Sequence, residues 1–172
     1  MSNYSRHKTH EKCKSRIEYL LKEYLKESSD GDIESLSHKA KYLAVLISGY
    51  LEQAIKEILI SYVHSGSRTQ IHRYIEETWP ISMNMSTKNI NNILQKFDKA
   101  WSDDFTNWLD EEDRRAGDIN NLMSWRNNIA HGNELNTNGV TLISVKEKLS
   151  TITELVSFIE NLVHPKMDRT IF

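Results

Sequence analysis

The sequence predicts an all-α protein, a single helical bundle of about five to six helices, and three observations support this fold class. The chain of 172 residues holds only 6 Gly and 2 Pro, so it has few of the residues that form the tight turns of a many-stranded sheet. Apolar residues recur three and four positions apart along most of the chain, which is the helical period. No repeat, low-complexity tract or composition shift divides the chain, so we expect one soluble globular domain over residues 1–172.

The first half of the sequence contains two amphipathic patterns of different length. The first spans residues 17–25 and should end in the polar stretch 28–31. The second keeps the helical period over residues 36–62 until Ser65 and Gly66 stop it. Its length predicts that this second helix is the centre of the core.

Two further helices are expected in the middle of the chain. A short one over residues 71–75 should end before Pro80, because proline disfavours helical geometry in the residue before it. Ser86 or Thr87 is a suitable N-cap for the next, which should run through Phe97 into the aromatic segment 101–108.

The last third of the sequence predicts two helices and a loop. One helix covers residues 119–129 and is stopped by Gly132. Residues 140–143 should form an extended loop, because a lone strand has no partner. Ser144 and Glu147 have the spacing of a capping box, which would open a final helix that ends before Pro165.

The charge balance and the single cysteine limit the function classes. Lys and Arg number 22 against 24 Asp and Glu, a net charge of -2, so no global positive field draws the chain to nucleic acid or to an anionic membrane. Cys13 cannot form an intrachain disulfide, which fits a reducing compartment. The most apolar stretch, 42–51, is too short for a membrane span, and the first ten residues lack an apolar signal region. We therefore expect a cytoplasmic protein without membrane insertion, with residues 1–12 as a flexible tail.

Common catalytic motifs are absent from the sequence. It holds no Gly-rich phosphate loop, no HExxH pair, no GxSxG elbow and no paired cysteines, so we expect neither a cofactor nor a metal. His7, His10 and Cys13 could gather soft ligands on one helix face, but three ligands on a chain end lack a fourth. A solvated tail is the favoured interpretation of these three residues.

A basic N-terminal segment is the second candidate site, since it could contact the phosphates of a nucleic acid. Its cations are Arg6, Lys8, Lys12, Lys14, Arg16, Lys22 and Lys26. Three glutamates, Glu11, Glu18 and Glu23, interrupt the segment, so a solvated helix face is favoured.

The third candidate site lies at residues 126–132, where Arg126 and His131 stand five positions apart. Such positions differ by about 140° around a helix, so one straight helix would not aim both side chains at one atom. Either the helix ends near His131, or a second subunit completes the site. The alternative to a functional site is a purely structural role, because a histidine followed by Gly132 is typical of a helix C-terminus.

Residues 126–132 read RNNIAHG, which resembles the Arg-polar-x-x-x-His signature of the HEPN superfamily. This superfamily consists of small all-α domains and includes many metal-independent ribonucleases of toxin–antitoxin and antiphage systems. The long helix with Glu52 and the final amphipathic helix are similar to the RiboL-PSP branch, so the resemblance covers about residues 15–163. Within it, residues 80–113 correspond to an insert.

The resemblance implies a role for each motif residue. His131 would be the acid/base, Arg126 would stabilise phosphoryl charge, Asn127 would orient one of them, and Glu52 would support the site. The implied activity is metal-independent cleavage of RNA through its 2′-hydroxyl by a toxin or antiphage effector, with a homodimer and an antitoxin or defence-complex protein as partners. The alternative is a non-catalytic helical dimer that binds a nucleotide, RNA or a partner protein.

Overall fold

A computed structural model describes residues 9–27, 32–80, 82–137 and 139–165 of the chain. In this part the secondary structure is helical without strands, which confirms the all-α prediction. The helices are α1 (Thr9–Glu27), α2 (Ile33–Gly66), α3 (Thr69–Thr78), α4 (Thr87–Phe97), α5 (Lys99–Asp110), α6 (Arg114–Ala130) and α7 (Leu142–Val163), with a short 3₁₀ helix at Glu134–Thr137.

The long helix α2 forms the centre of the bundle, as its length predicted. It packs against α1, α6 and α7, so its apolar residues meet neighbours on several sides. Its fully buried apolar side chains are Ala40, Leu43, Ala44, Ile47, Leu51, Ala54, Ile55 and Leu59. Burial on this scale makes α2 the element against which α1, α6 and α7 pack.

Side-chain pairs establish the directions of the packed helices. The start of α1 meets the second half of α2 through His10 and Glu57, so α1 and α2 are antiparallel. The end of α7 meets the end of α2, where Ser61 Oγ lies 2.8 Å from His164 Nε2, so α7 runs parallel to α2. Helix α6 returns antiparallel to both, and its Met123 Sδ lies 3.8 Å from Ser48 Oγ on α2.

The N-terminal boundary of the bundle lies earlier in the chain than expected. Helix α1 is already helical at Thr9, so residues 9–12 do not belong to the predicted flexible tail. His10 is buried against α2, which explains why the helix extends this far. Residues 1–8 lie outside the described part of the chain.

The start of α7 also differs from the prediction. Thr141, not Ser144, is the N-cap: its hydroxyl accepts the Ser144 N–H at 3.1 Å, and the Ser144 hydroxyl accepts the Thr141 N–H at 2.9 Å. The capping box predicted for Ser144 and Glu147 is therefore wrong. Leu142 and Ile143 are helical rather than part of an extended loop.

The segment between residues 80 and 113 forms two helices that contribute to the main core. Ser86 caps α4 through a bond from the Asn89 N–H at 3.4 Å, which confirms one of the two expected N-caps. The backbone becomes extended at Asp98, whose carboxylate accepts the Ala100 N–H at 2.8 Å and starts α5. This break makes seven helices in the described residues. Phe105 of α5 is fully buried in the common core.

None of the helices in the described ranges combines the length and the apolar character that a membrane crossing requires.

Candidate functional site

The residues of the RNNIAHG segment form the C-terminal end of α6. His131 is the C-cap, and Gly132 follows with a φ of 67°, the left-handed conformation that glycine adopts without strain. The Asn133 N–H donates to the Asn128 carbonyl at 2.8 Å, and the Gly132 N–H donates to the Ile129 carbonyl at 3.2 Å. These two bonds are the Schellman pattern of a helix end. The predicted stop of this helix at Gly132 is therefore confirmed.

The polar side chains of this segment lie at the surface of a helix whose other end is anchored in the core. Ile119 and Leu122 are fully buried, whereas Arg126 and Asn127 are half-buried and His131 is exposed. The apolar face of α6 continues alongside the polar group, because Trp125 and Ile129 are half-buried against the core. A solute can reach all three polar side chains.

Arg126 and Asn127 are joined directly, because Nη1 of Arg126 donates to Oδ1 of Asn127 at 3.2 Å. Asn127 and His131 stand four positions apart, so they lie about 40° apart around the helix and on the same face. Arg126 and His131 differ by about 140°. Asn127 is therefore the residue that links the guanidinium to the face that carries the imidazole.

The carboxylate of Glu52 is bonded to a different part of the chain. It accepts the backbone N–H of Met83 at 2.8 Å, which ties α2 to the chain that leads into α4. Ser48 of α2 contacts Met123 of α6. Glu52 lies one turn after Ser48, and Arg126 lies about one turn after Met123. Because α2 and α6 are antiparallel, these two steps lead in opposite directions. At 1.5 Å per residue this separates Glu52 and Arg126 by about 10 Å along the helix axes. Among the described side-chain hydrogen bonds, one joins Arg126 to Asn127, and none joins these two residues to the imidazole of His131 or to Glu52.

A model of the RiboL-PSP-HEPN family matches residues 11–164, from α1 to the end of α7. The chain belongs to the RiboL-PSP-HEPN family. No curated protein and no solved structure matches it. HEPN domains often act as ribonucleases and bind RNA, so membership indicates an RNA-related, nuclease-type function in coarse terms. The family match runs through α4 and α5.

An ionic network that the sequence patterns did not predict fixes α6 on α7 in this HEPN domain. Asp118 accepts hydrogen bonds from Lys148 at 2.5 Å and from Thr151 at 2.6 Å, and its side chain is buried. Arg114 donates to both carboxylate oxygens of Glu154 at 3.0 Å. Bonds to Glu154 and then to Glu112 raise the pKa of the Arg114 guanidinium. The signal in the sequence was the spacing of Arg114 and Asp118, four residues apart on one face.

The same network reaches residues 126–132, the candidate site, through Trp125. The ammonium of Lys148 lies 5.6 Å from the centre of the Trp125 ring, within the range of a cation–π contact. Trp125 directly precedes Arg126 in the HEPN domain. The position of the last turn of α6 therefore depends on α7.

The other two candidate sites have different outcomes. His7 lies outside the described residues. His10 is not part of a solvated tail: it is buried, and its Nδ1 lies 2.5 Å from Glu57 Oε2. Burial by itself would raise the pKa of Glu57, but hydrogen bonds from Gln53 and His10 outweigh it and hold that pKa below its usual value.

The described part of the basic segment forms local ion pairs along α1. Lys14 lies 3.9 Å from Glu18, and Lys26 lies 2.7 Å from Glu23. These pairs agree with the favoured interpretation of a solvated, charge-balanced helix face.

Proposed function

We propose that this RiboL-PSP-HEPN domain is a metal-independent endoribonuclease whose site consists of Arg126, Asn127 and His131. The observation that carries the proposal is the arrangement of these side chains at one accessible helix end, with Arg126 bonded to Asn127 at 3.2 Å. Residues 126–132 offer one imidazole and no carboxylate, which is a donor set for acid/base chemistry rather than for metal binding.

The chemistry follows from these groups. The imidazole of His131 takes the proton of a ribose 2′-hydroxyl, and that oxygen attacks the adjacent phosphorus. The bond from phosphorus to the 5′-oxygen of the next nucleotide breaks, and this oxygen takes up a proton as it leaves. The products are a 2′,3′-cyclic phosphate and a 5′-hydroxyl. Arg126 donates to the non-bridging oxygens and offsets their charge in the transition state.

Asn127 is a positioning residue in this mechanism. Its side-chain oxygen is bonded to the Arg126 guanidinium, and its place one turn before His131 puts its amide beside the imidazole face. Glu52 supports the site only indirectly, by holding the backbone at Met83 beside α2.

A two-fold dimer would complete the site. Within one chain Arg126 and His131 point about 140° apart around α6, so two copies of the helix end facing each other can supply both groups to one phosphate. The second His131 would then protonate the leaving oxygen. Two exposed apolar residues that follow the segment in the chain suit such a contact: Leu135, with 87% of its surface accessible, and Ile143, with 70%.

A ribonuclease of this kind would act in the cytoplasm as a toxin or antiphage effector, with RNA as substrate and an antitoxin or defence-complex protein as its restraint. A non-catalytic dimer that binds a nucleotide, RNA or a protein is the competing function, since His131 and Gly132 also make a regular helix end.

The test compares cleavage of a labelled stem-loop RNA by the wild-type protein and three variants. His131→Ala should abolish cleavage while the fold survives, because His131 is exposed. Arg126→Lys should also fail, because lysine lacks the planar fork that grips two phosphate oxygens. His38→Ala is the matched control, since His38 is exposed on α2 and should leave the rate unchanged. Full cleavage by a variant with both motif positions changed would disprove the site, and lack of cleavage by the wild type would favour the non-catalytic dimer.

A further inference from the structure

Two histidines and a glutamate converge where α2 turns into α3. His64 lies in the last turn of α2, His72 in the first half of α3, and Glu76 one turn later on α3. One potential ligand atom from each lies within 4.8 Å of the others. The imidazole rings of His64 and His72 lie 3.3 Å apart between centroids. Two imidazoles on one tetrahedral ion have centroids roughly 5 Å apart, so the exposed His64 ring has to turn away from His72 when an ion binds. None of these residues belongs to the proposed ribonuclease site.

The buried imidazole of His72 is the decisive feature of this cluster. His72 is 9% exposed, and its Nε2 has no hydrogen-bond partner among the described residues. Buried side-chain nitrogens are nearly always bonded, so this atom requires an explanation. The nearest carboxylate oxygen, Glu76 Oε1, lies 3.6 Å away, which is too long for a hydrogen bond.

The separation of 3.6 Å suits two ligands of one metal ion. Zinc binds imidazole nitrogen and carboxylate oxygen at about 2.0 to 2.2 Å, and a tetrahedral angle then places the two ligand atoms about 3.3 to 3.5 Å apart. We propose that His64, His72 and Glu76 bind one divalent transition-metal ion of the zinc class, with a fourth position left for water. Two imidazoles favour such an ion over magnesium or calcium, which prefer oxygen ligands.

A metal at this position would fasten α3 to the bundle. Helix α3 packs mainly against α2, and His72 is its one buried residue. Ile71 and Tyr74 on the same helix are exposed, so apolar burial contributes little to holding it. An ion bound by His64 on α2 and by two residues of α3 would cross-link the two helices through the turn at Ser67 and Arg68.

The experiment uses full-length protein that has been freed of metal with a chelator and then titrated with Zn²⁺ by calorimetry. We expect one ion per chain, and a rise in the thermal unfolding midpoint when zinc is added. Co²⁺ should replace Zn²⁺ and give the visible absorption bands of a four-coordinate site, which reports the ligand geometry directly.

Three variants assign the ligands. His72→Ala and Glu76→Gln should each weaken zinc binding by at least tenfold. Because His72 is buried, His64→Ala is the variant that keeps the test valid if His72→Ala does not fold; His64 is exposed, and its loss should also weaken binding. His38→Ala is the matched control, since His38 and Glu34 are also four residues apart on α2, 3.9 Å from each other, without a second imidazole.

Two results would contradict the proposal. One is the absence of zinc binding by the wild type at micromolar concentrations. Equal binding by His64→Ala and the wild type would place the ion elsewhere and would also contradict it.

Discussion

Asp118 on α6 and Lys148 on α7 form an ion pair of 2.5 Å whose two side chains are each almost nine-tenths shielded from solvent. The pair lies two turns before Arg126, and the same Lys148 ammonium faces the Trp125 ring. Contacts between α6 and α7 therefore help to hold the helix end that carries the candidate site.

Asp118→Asn should lower the free energy of unfolding by about 3 kcal/mol, because it leaves the shielded ammonium of Lys148 without its counter-charge. Urea unfolding measures the loss. Asp103→Asn is the control, since Asp103 is exposed on α5, and its effect should stay within about 0.5 kcal/mol. Equal effects of the two substitutions would show that the ion pair contributes nothing.

The pH dependence of stability should contain a contribution from Glu57. Its pKa is lower in the folded protein than the usual 4.5, so the unfolded chain binds the proton more readily. This contribution is present above about pH 4.5 and is lost as the pH falls through the folded pKa. We expect wild type to exceed Glu57→Gln in unfolding free energy at pH 6, with the difference shrinking below pH 4.5. A difference that grows on acidification would contradict the assignment.

Two glycines of the α6 region should respond to alanine with opposite signs. Gly132→Ala should destabilise by about 1 kcal/mol, because alanine resists the left-handed φ of 67° although its Cβ would meet no neighbour. Gly117→Ala, inside α6 with equally open space, should stabilise by about 0.5 to 1 kcal/mol. Thermal unfolding compares the pair. Stabilisation by both substitutions would contradict the left-handed conformation of Gly132.

The proposed dimer predicts a solution mass of twice 20.1 kDa by light scattering at micromolar concentration. Leu135→Asp should shift the protein toward monomer and reduce RNA cleavage together, because Leu135 is exposed close to the motif. Tyr74→Asp, an exposed position on α3, should change neither. A mass of one chain for the wild type would remove the dimer from the mechanism.

The proposed chemistry predicts that cleavage survives excess EDTA and requires the 2′-hydroxyl. An RNA stem-loop should be cut in its unpaired region, where the ribose and phosphate can rotate into line for attack. An identical oligonucleotide with a 2′-deoxy substitution at the cleaved position should remain intact. Cleavage of the deoxy version at the same rate, or cleavage only after magnesium is added, would disprove the mechanism.

Local sequence patterns predicted much of this fold and part of its candidate site. The apolar period located α2, the stop at Gly132 located the end of α6, and Ser86 marked the start of α4, because each depends on residues close in sequence. The RNNIAHG segment likewise predicted Arg126 and His131 as candidate site residues, because this pattern is read from the sequence without the packing.

The features that sequence did not reveal depend on contacts between distant residues. The early start of α1 follows from the bond of His10 to Glu57, 47 positions away. Asp118 meets Lys148 only because α6 packs on α7, 30 positions later. His64 and His72 lie on different helices and meet across a turn, so no periodic pattern joins them.

The parallel packing of α2 and α7 has a consequence for biosynthesis. The ribosome makes α6, with its Arg126, before it makes α7. Until α7 is made, Asp118 lacks its partners Lys148 and Thr151, and one side of α2 is not covered. The core closes only when α7 has emerged and folded back along α2. A nascent chain therefore contains residues 126–132 before α7 can pack against α6 and hold them in place. The proposed activity would begin only after α7 has left the exit tunnel.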